Sequence, residues 1–126
     1  MNANYILIVE HDLTFGQSLS TLIEEEGYTT SYVRSANAAM ESLQLHKPDA
    51  LLINAQLPTM SGFAFTQWVR LEADFRNIPI ALMIPADNDI VRLKASGVGA
   101  TVVLPLPFDL PELNYAISEL WKGERL

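Results

Sequence analysis

Short apolar runs alternate with amphipathic stretches along the chain. Tyr5-Ile-Leu-Ile-Val9 and Ala50-Leu-Leu-Ile53 are unbroken apolar runs, the pattern of strands buried on both faces. Residues 79–84 and 101–104 read as two further strands. The segment 28–33 is strand-like as well, but Thr29, Thr30 and Ser31 make it polar, which suits the edge of a sheet better than its centre.

Between these runs the apolar spacing becomes helical. Asp12 is placed to cap a helix with Phe15, Leu19, Leu22 and Ile23 on one face, and Gly27 to end it. Ser35 caps a second helix over 37–45, ahead of Pro48. After a loop with Pro58 and Gly62, a third helix groups Phe65, Trp68 and Val69. Asp87 or Asn88 caps a fourth, expected to reach Ser96 and stop at Gly97. Asp109 caps the fifth, with Pro111 in its first turn, where a missing N–H costs nothing. Its expected buried stripe is Leu110, Leu113, Ile117 and Leu120, with Trp121 beside it. Five strand–helix units predict an α/β fold: three layers, (βα)5, with a parallel five-stranded sheet between helices. Right-handed crossovers and a polar second strand at the edge favour the order 2-1-3-4-5.

Composition narrows the function. The 126 residues fit one domain spanning 1–126. With 49% hydrophobic and 18% charged residues, the chain is not intrinsically disordered. Eight Lys+Arg against fifteen Asp+Glu give a net charge of −7, so phosphate backbones are repelled and no nucleic-acid partner is expected. The absence of cysteine removes disulfides, thiolate metal sites and a Cys nucleophile. Met1-Asn-Ala-Asn carries no basic region before the first apolar run, and no run approaches the ~18 residues of a membrane span. The expectation is a cytoplasmic domain without a membrane partner.

In sheets of this kind ligands bind beyond the carboxyl ends of the strands, where the strand order reverses. There the sequence places Glu10, His11 and Asp12, then Asn54, Ala55 and Gln56, then Pro85 and Ala86, then Pro105, Leu106 and Pro107. The segments Ile6-Leu-Ile-Val-Glu-His-Asp12, Pro48-Asp-Ala-Leu-Leu-Ile-Asn-Ala-Gln-Leu-Pro58, Met60-Ser-Gly-Phe63, Ile78-Pro79, Gly99-Ala100 and Leu106-Pro-Phe-Asp-Leu-Pro-Glu-Leu113 together resemble the receiver domain of two-component response regulators, over nearly the whole chain. The resemblance implies a flavodoxin-like receiver fold, a role in phosphorelay signalling rather than an enzyme activity, and a cis Leu106–Pro107 bond.

Receivers accept a phosphoryl group on an aspartate, with acidic residues for Mg²⁺, a Thr/Ser and a Lys. Carried onto this chain, the acceptor position falls on Asn54, whose amide is no nucleophile. The acidic pocket falls on Glu10, His11 and Asp12, the hydroxyl position on Pro85, the switch aromatic on Val103 and the Lys on Leu106. Imidazole is a poor ligand for a hard cation. Only Glu10 keeps its chemical kind, so no catalytic residue, metal or cofactor is assigned. The adjacent Glu10 and His11 read as a loop-tip ion pair, with a remnant carboxylate at Glu10 as the other reading. Asp12 reads as a helix cap.

The function expected is thus a pseudo-receiver, a phosphorylation-independent protein-interaction module. Two alternatives stand beside it: a flavodoxin-like domain binding FMN or another small anion, and a conventional phosphorylated receiver. The loop Glu10-His-Asp-Leu-Thr-Phe-Gly16 brings carboxylates where a phosphate loop needs hydroxyls and glycines. At 100° per residue, Tyr115 falls opposite the apolar stripe of the last helix, with Glu112 and Glu119. In receivers the face of the fourth helix, fifth strand and last helix meets partners. Tyr115 is therefore a candidate anchor for a histidine kinase, another signalling protein or a second copy of the chain.

Overall fold

The computed structural model describes residues 4–122. Five strands, β1 (Tyr5–Val9), β2 (Thr29–Val33), β3 (Ala50–Asn54), β4 (Ile80–Ile84) and β5 (Val102–Pro105), alternate with five helices. The helices are α1 (Leu13–Glu25), α2 (Ala36–Leu45), α3 (Gly62–Leu71), α4 (Asp89–Val98) and α5 (Leu110–Glu119). The sheet is parallel throughout, in the order β2-β1-β3-β4-β5. The polar strand is at an edge, as its Thr29, Thr30 and Ser31 imply.

Side chains alternate across the sheet, and the two faces bury different helices. Leu7, Val9, Leu51, Ile53, Ile80, Leu82 and Ile84 pack with α2, α3 and α4. Ile6, Ile8, Leu52, Ala81, Met83 and Leu104 pack with α1 and α5. Both β3 and β4 are buried along their whole length. Each fully buried Leu or Ile there contributes about 1.5–3 kcal/mol.

Every helix begins on a polar side chain that accepts from its first turn: Asp12, Ser35, Ser61, Asn88 and Asp109. Asp109 and Glu112 form a full capping box. Several details differ from the sequence reading. Gly97 does not stop α4; the helix runs to Val98 and Gly99 takes the left-handed conformation at φ 101°, which glycine adopts without a Cβ clash. Leu110 is exposed and its place in the α5 stripe is taken by Ala116, because the capped first turn holds Leu110 off the sheet. The fifth strand is shifted one residue toward the C-terminus.

Arg70, at the end of α3, ties three segments together. Its Nε donates to Gly99 O at 2.8 Å and its Nη1 to Ile78 O at 2.7 Å and Arg76 O at 3.0 Å. Partial burial pushes its guanidinium below the ordinary arginine value.

Candidate functional site

The carboxyl ends of β1 and β3 bring Glu10 and Asn54 together. Glu10 is the residue after β1, held by its N–H to Val33 O at 3.0 Å, and Asn54 is the last residue of β3. They are 3% and 8% exposed, and with Thr66 they are the buried polar residues among those described. Asn54 Nδ2 donates to Glu10 Oε1 at 2.7 Å. Asn54 Oδ1 accepts from Gln56 N at 2.9 Å. A carboxylate only accepts and a backbone N–H only donates, so this amide orientation alone satisfies both contacts. Glu10 Oε2 in turn accepts from Asp12 N at 2.9 Å, while Asp12 Oδ1 accepts from Phe15 N at 2.8 Å. A buried charge is costly unless it is paired or hydrogen-bonded. Here two N–H donors supply that compensation, in the manner of a charge-assisted bond.

The wall opposite is backbone. Gly62 donates to Ala55 O at 2.8 Å, and a Cβ at Gly62 would lie 2.1 Å from Asn54 O. The Ser61–Gly62 step thus lets the start of α3 approach the end of β3. Thr59, at φ 70°, turns the chain before it.

Other expected positions are dispersed. His11 is exposed, and its carbonyl accepts from Arg34 Nε at 2.8 Å. The expected Glu10–His11 ion pair is therefore replaced: Glu10 turns inward to Asn54 while His11 stays in solvent. Leu106 packs with the α1/α5 core and Val103 with the α2–α4 core. Pro85 is exposed, one residue beyond β4. The last buried residue of that strand is Ile84, which lies opposite Pro105 and in the same core as Val103. Neither Pro85 nor Ile84 carries a hydroxyl. The Leu106–Pro107 bond is cis, as expected.

A second locus lies between α4, β5 and α5. Tyr115 is 63% exposed, as its helical phase implies. Glu112 is engaged in the capping box, and Glu119 pairs with Lys122, whose Nζ lies 5.9 Å from the Tyr115 ring centre. A groove of about 380 Å³ runs between β5 and α5, lined by Val102, Val103 and Pro105 on one side and Pro111, Glu112 and Tyr115 on the other. On α4, Ile90 and Leu93 are 80% and 73% exposed. The sequence held that signal, since both lie opposite Val91, Ala95 and Val98. Arg92 beside Asp87 holds that carboxyl below the usual range.

The family model of the response regulator receiver domain matches residues 6–118. Among curated relatives, response regulator MprA of Mycobacterium ulcerans is 30% identical over 121 residues, covering 96% of this chain and 51% of MprA. The chain thus spans about half the length of that relative. The polar-differentiation response regulator DivK of Brucella ovis is 30% identical over 103 residues, 80% of this chain and 84% of DivK. Among solved structures, the receiver domain of a signal transduction histidine kinase from Syntrophus aciditrophicus superposes with a TM-score of 0.88 at 30% identity, covering 96% of this chain and 92% of that one. Chemotaxis response regulator CheY4 of Vibrio cholerae gives a TM-score of 0.89 at 22% identity, covering 94% and 99%. The parallel sheet with its reversal between β1 and β3 and the matched residues 6–118 agree, and the chain belongs to the receiver-domain family of two-component response regulators.

Proposed function

We propose that residues 1–126 act as one pseudo-receiver domain, a non-enzymatic module that signals through protein contact without aspartyl phosphorylation. The observation that carries this reading is the 2.7 Å bond from Asn54 Nδ2 to Glu10 Oε1. An N–H donor occupies the place where a phosphoryl-accepting carboxylate and its cation would have to meet. In-line transfer needs a nucleophile and a positive charge opposite the phosphoryl oxygens. Asn54 supplies no nucleophile. Leu106 supplies no cation, and neither Ile84 nor Pro85 supplies a hydroxyl.

The donor set does not fit the Mg²⁺ that the family implies. Mg²⁺ demands near-octahedral oxygen ligands. Both Glu10 oxygens are engaged by N–H donors, Asp12 Oδ1 is engaged by the α1 cap, and the residue between them is a histidine. No cofactor is assigned on this reading. Among the described residues no helix is long and apolar enough to cross a membrane, and the net charge of −7 disfavours nucleic acid. The output surface is the α4–β5–α5 face with Tyr115, Glu112 and Glu119, and its partner is a protein.

Intact mass after incubation with acetyl phosphate and Mg²⁺ tests the reading. The expected spectrum is that of the unmodified chain. A stoichiometric phosphoryl adduct removed by hydroxylamine overturns the proposal and restores the conventional receiver.

A further inference from the structure

We infer that the free edge of β2 pairs with the same edge of a second copy of this chain, antiparallel and related by a two-fold axis, so that the two sheets become one. The inference goes beyond the output surface described above. β2 and β5 are the opposite edges of the sheet, so this pairing leaves the α4–β5–α5 face of each copy open.

Edge strands are normally guarded against such pairing by charges, proline or bulges. β5 is guarded, since it ends at Pro105 and Pro107 follows. β2 is not. Thr29-Thr30-Ser31-Tyr32-Val33 contains no charge, proline or glycine, and it pairs with β1 residue for residue, without a bulge. Half of its backbone is free. Thr29 N–H bonds Asn4 O at 2.9 Å, and Val33 O accepts from Glu10 N–H at 3.0 Å. In a parallel ladder alternate residues face the same neighbour. Thr29, Ser31 and Val33 therefore bond β1, while the N–H and C=O groups of Thr30 and Tyr32 point away from the sheet.

This edge is complementary to itself in one register. Outward-facing residues must meet outward-facing ones, and the overlap is longest when Thr30 of each copy faces Tyr32 of the other. Ser31, which is exposed, then meets its own counterpart on the two-fold axis, with Thr29 opposite Val33 on either side. Hydroxyl, β-branched and aromatic pairs of this kind stabilise a sheet, and no like charges are opposed. The ends of the edge carry opposite charge. Exposed Arg34 follows β2, while exposed Glu24, Glu25 and Glu26 close α1 ahead of it. Antiparallel pairing brings the Arg34 end of each copy beside the acidic end of the other, twice; parallel pairing sets like beside like. The helices also fit. α1 covers β1 and β2, with Ser20 Oγ 2.5 Å from Thr30 Oγ1 and Gly16 against the Tyr32 ring. About two strand spacings, or about 10 Å, then separate the α1 axes of the two copies, which is close to the distance at which helices pack.

The test uses the full chain in about 0.15 M NaCl, which screens the repulsion between two copies of net charge −7. Sedimentation equilibrium over about 1–500 μM is expected to show monomer and dimer in exchange. Ser31→Lys sets like charges face to face on the axis while its backbone still bonds β1. It should weaken the dimer at least about tenfold and leave the far-UV circular dichroism unchanged. Ser31→Glu should do the same, and an equimolar mixture of the two variants should recover the dimer, because opposite charges then meet. In the parent, amide hydrogen exchange at Thr30 and Tyr32 should slow as concentration rises, whereas exchange at Ser31 and Val33, already bonded to β1, should change little. Tyr115→Ala should leave the dimer intact. A monomer throughout that range overturns the inference. So does a dimer that survives Ser31→Lys, a mixture of the two charged variants that stays monomeric, or a dimer that Tyr115→Ala abolishes. Should neither charged variant fold, exchange in the parent decides: no slowing at Thr30 and Tyr32 overturns the inference equally.

Discussion

Asn54→Asp changes one NH2 group to oxygen at nearly constant shape, so its effect isolates charge. In the parent, Asn54 Nδ2 donates to the buried Glu10 carboxylate at 2.7 Å. The variant deletes a hydrogen bond to a charged group, about 1.5–3 kcal/mol, and sets two carboxyls against each other with no cation to offset them. With both ionised, roughly 3 Å apart at an effective dielectric constant of about 20, repulsion would cost on the order of 5 kcal/mol. Holding one proton between them is the less costly route at neutral pH. Against an ordinary carboxylate value near 4, each pH unit above it costs about 1.4 kcal/mol. The expected loss is then about 2–4 kcal/mol at pH 7 and about 1 kcal/mol at pH 5. The sign follows from linkage. The folded variant retains a proton that the unfolded chain has released above about pH 4, so its stability falls as pH rises through the raised folded value. Urea unfolding of parent and variant at pH 5, 6, 7 and 8 measures this, with the midpoint expected about 1–2 M lower at pH 7 for a slope of about 2 kcal/mol/M. A loss below ~0.5 kcal/mol that is flat from pH 5 to 8 would refute the view that Asn54 neutralises Glu10.

Further outcomes follow from other contacts. Gly62→Ala should cost more than about 3 kcal/mol by urea unfolding, since its Cβ would lie 2.1 Å from backbone at Asn54 O, and such overpacking against backbone has no low-cost relaxation. Arg70→Ala should cost about 2–3 kcal/mol by the same measurement, because it leaves the carbonyls of Gly99 and Ile78 without their donors. Arg70→Lys should recover less than half of that, because one ammonium cannot span acceptors that a planar fork reaches at once. Millimolar Mg²⁺ should leave the Tm of the parent unchanged in a thermal scan, since stabilisation requires binding to the native state; a rise that Glu10→Gln removes would contradict the donor assignment.

Much of the fold was legible because it depends on pattern alone. The polar 29–31 segment in a set of otherwise apolar strands predicts the edge, and caps such as Asp12, Ser35 and Asp109 mark helix starts. Errors came where two local signals compete. Gly97 and Gly99 are both plausible stops, and the choice was made by the Gly99 N–H reaching Ser96 O at 3.0 Å and Ala100 N–H reaching Ala95 O at 3.0 Å. Leu110 matches the apolar phase of α5, yet the cap holds it outward. At the site, residue types at the strand ends were readable, but the inward turn of Glu10 was not. Adjacency to His11 suggests an ion pair in sequence, whereas Asn54 becomes the partner only once β1 and β3 lie side by side in register. Arg70 was invisible for the same reason, since its acceptors belong to segments that only folding assembles.

On the pseudo-receiver reading, the same separation between core and site accounts for a receiver fold that persists without the residues of phosphotransfer. Glu10 and Asn54 stand at strand ends, outside the two apolar clusters that bind the layers. Replacing a ligating or accepting carboxylate there by an amide leaves packing intact, provided that the remaining carboxylate finds donors, and Asn54 Nδ2 and Asp12 N provide them. Closing the site in this way also affects the α4–β5–α5 face. An effector shifts a conformational equilibrium only by its differential affinity for the two states. On the pseudo-receiver reading no phosphoryl group or cation binds at the strand ends. Ile84 and Val103 are apolar side chains in one core and have no polar bond to make or break. The face is then presented in one arrangement, and signalling through it is set by how much partner is present.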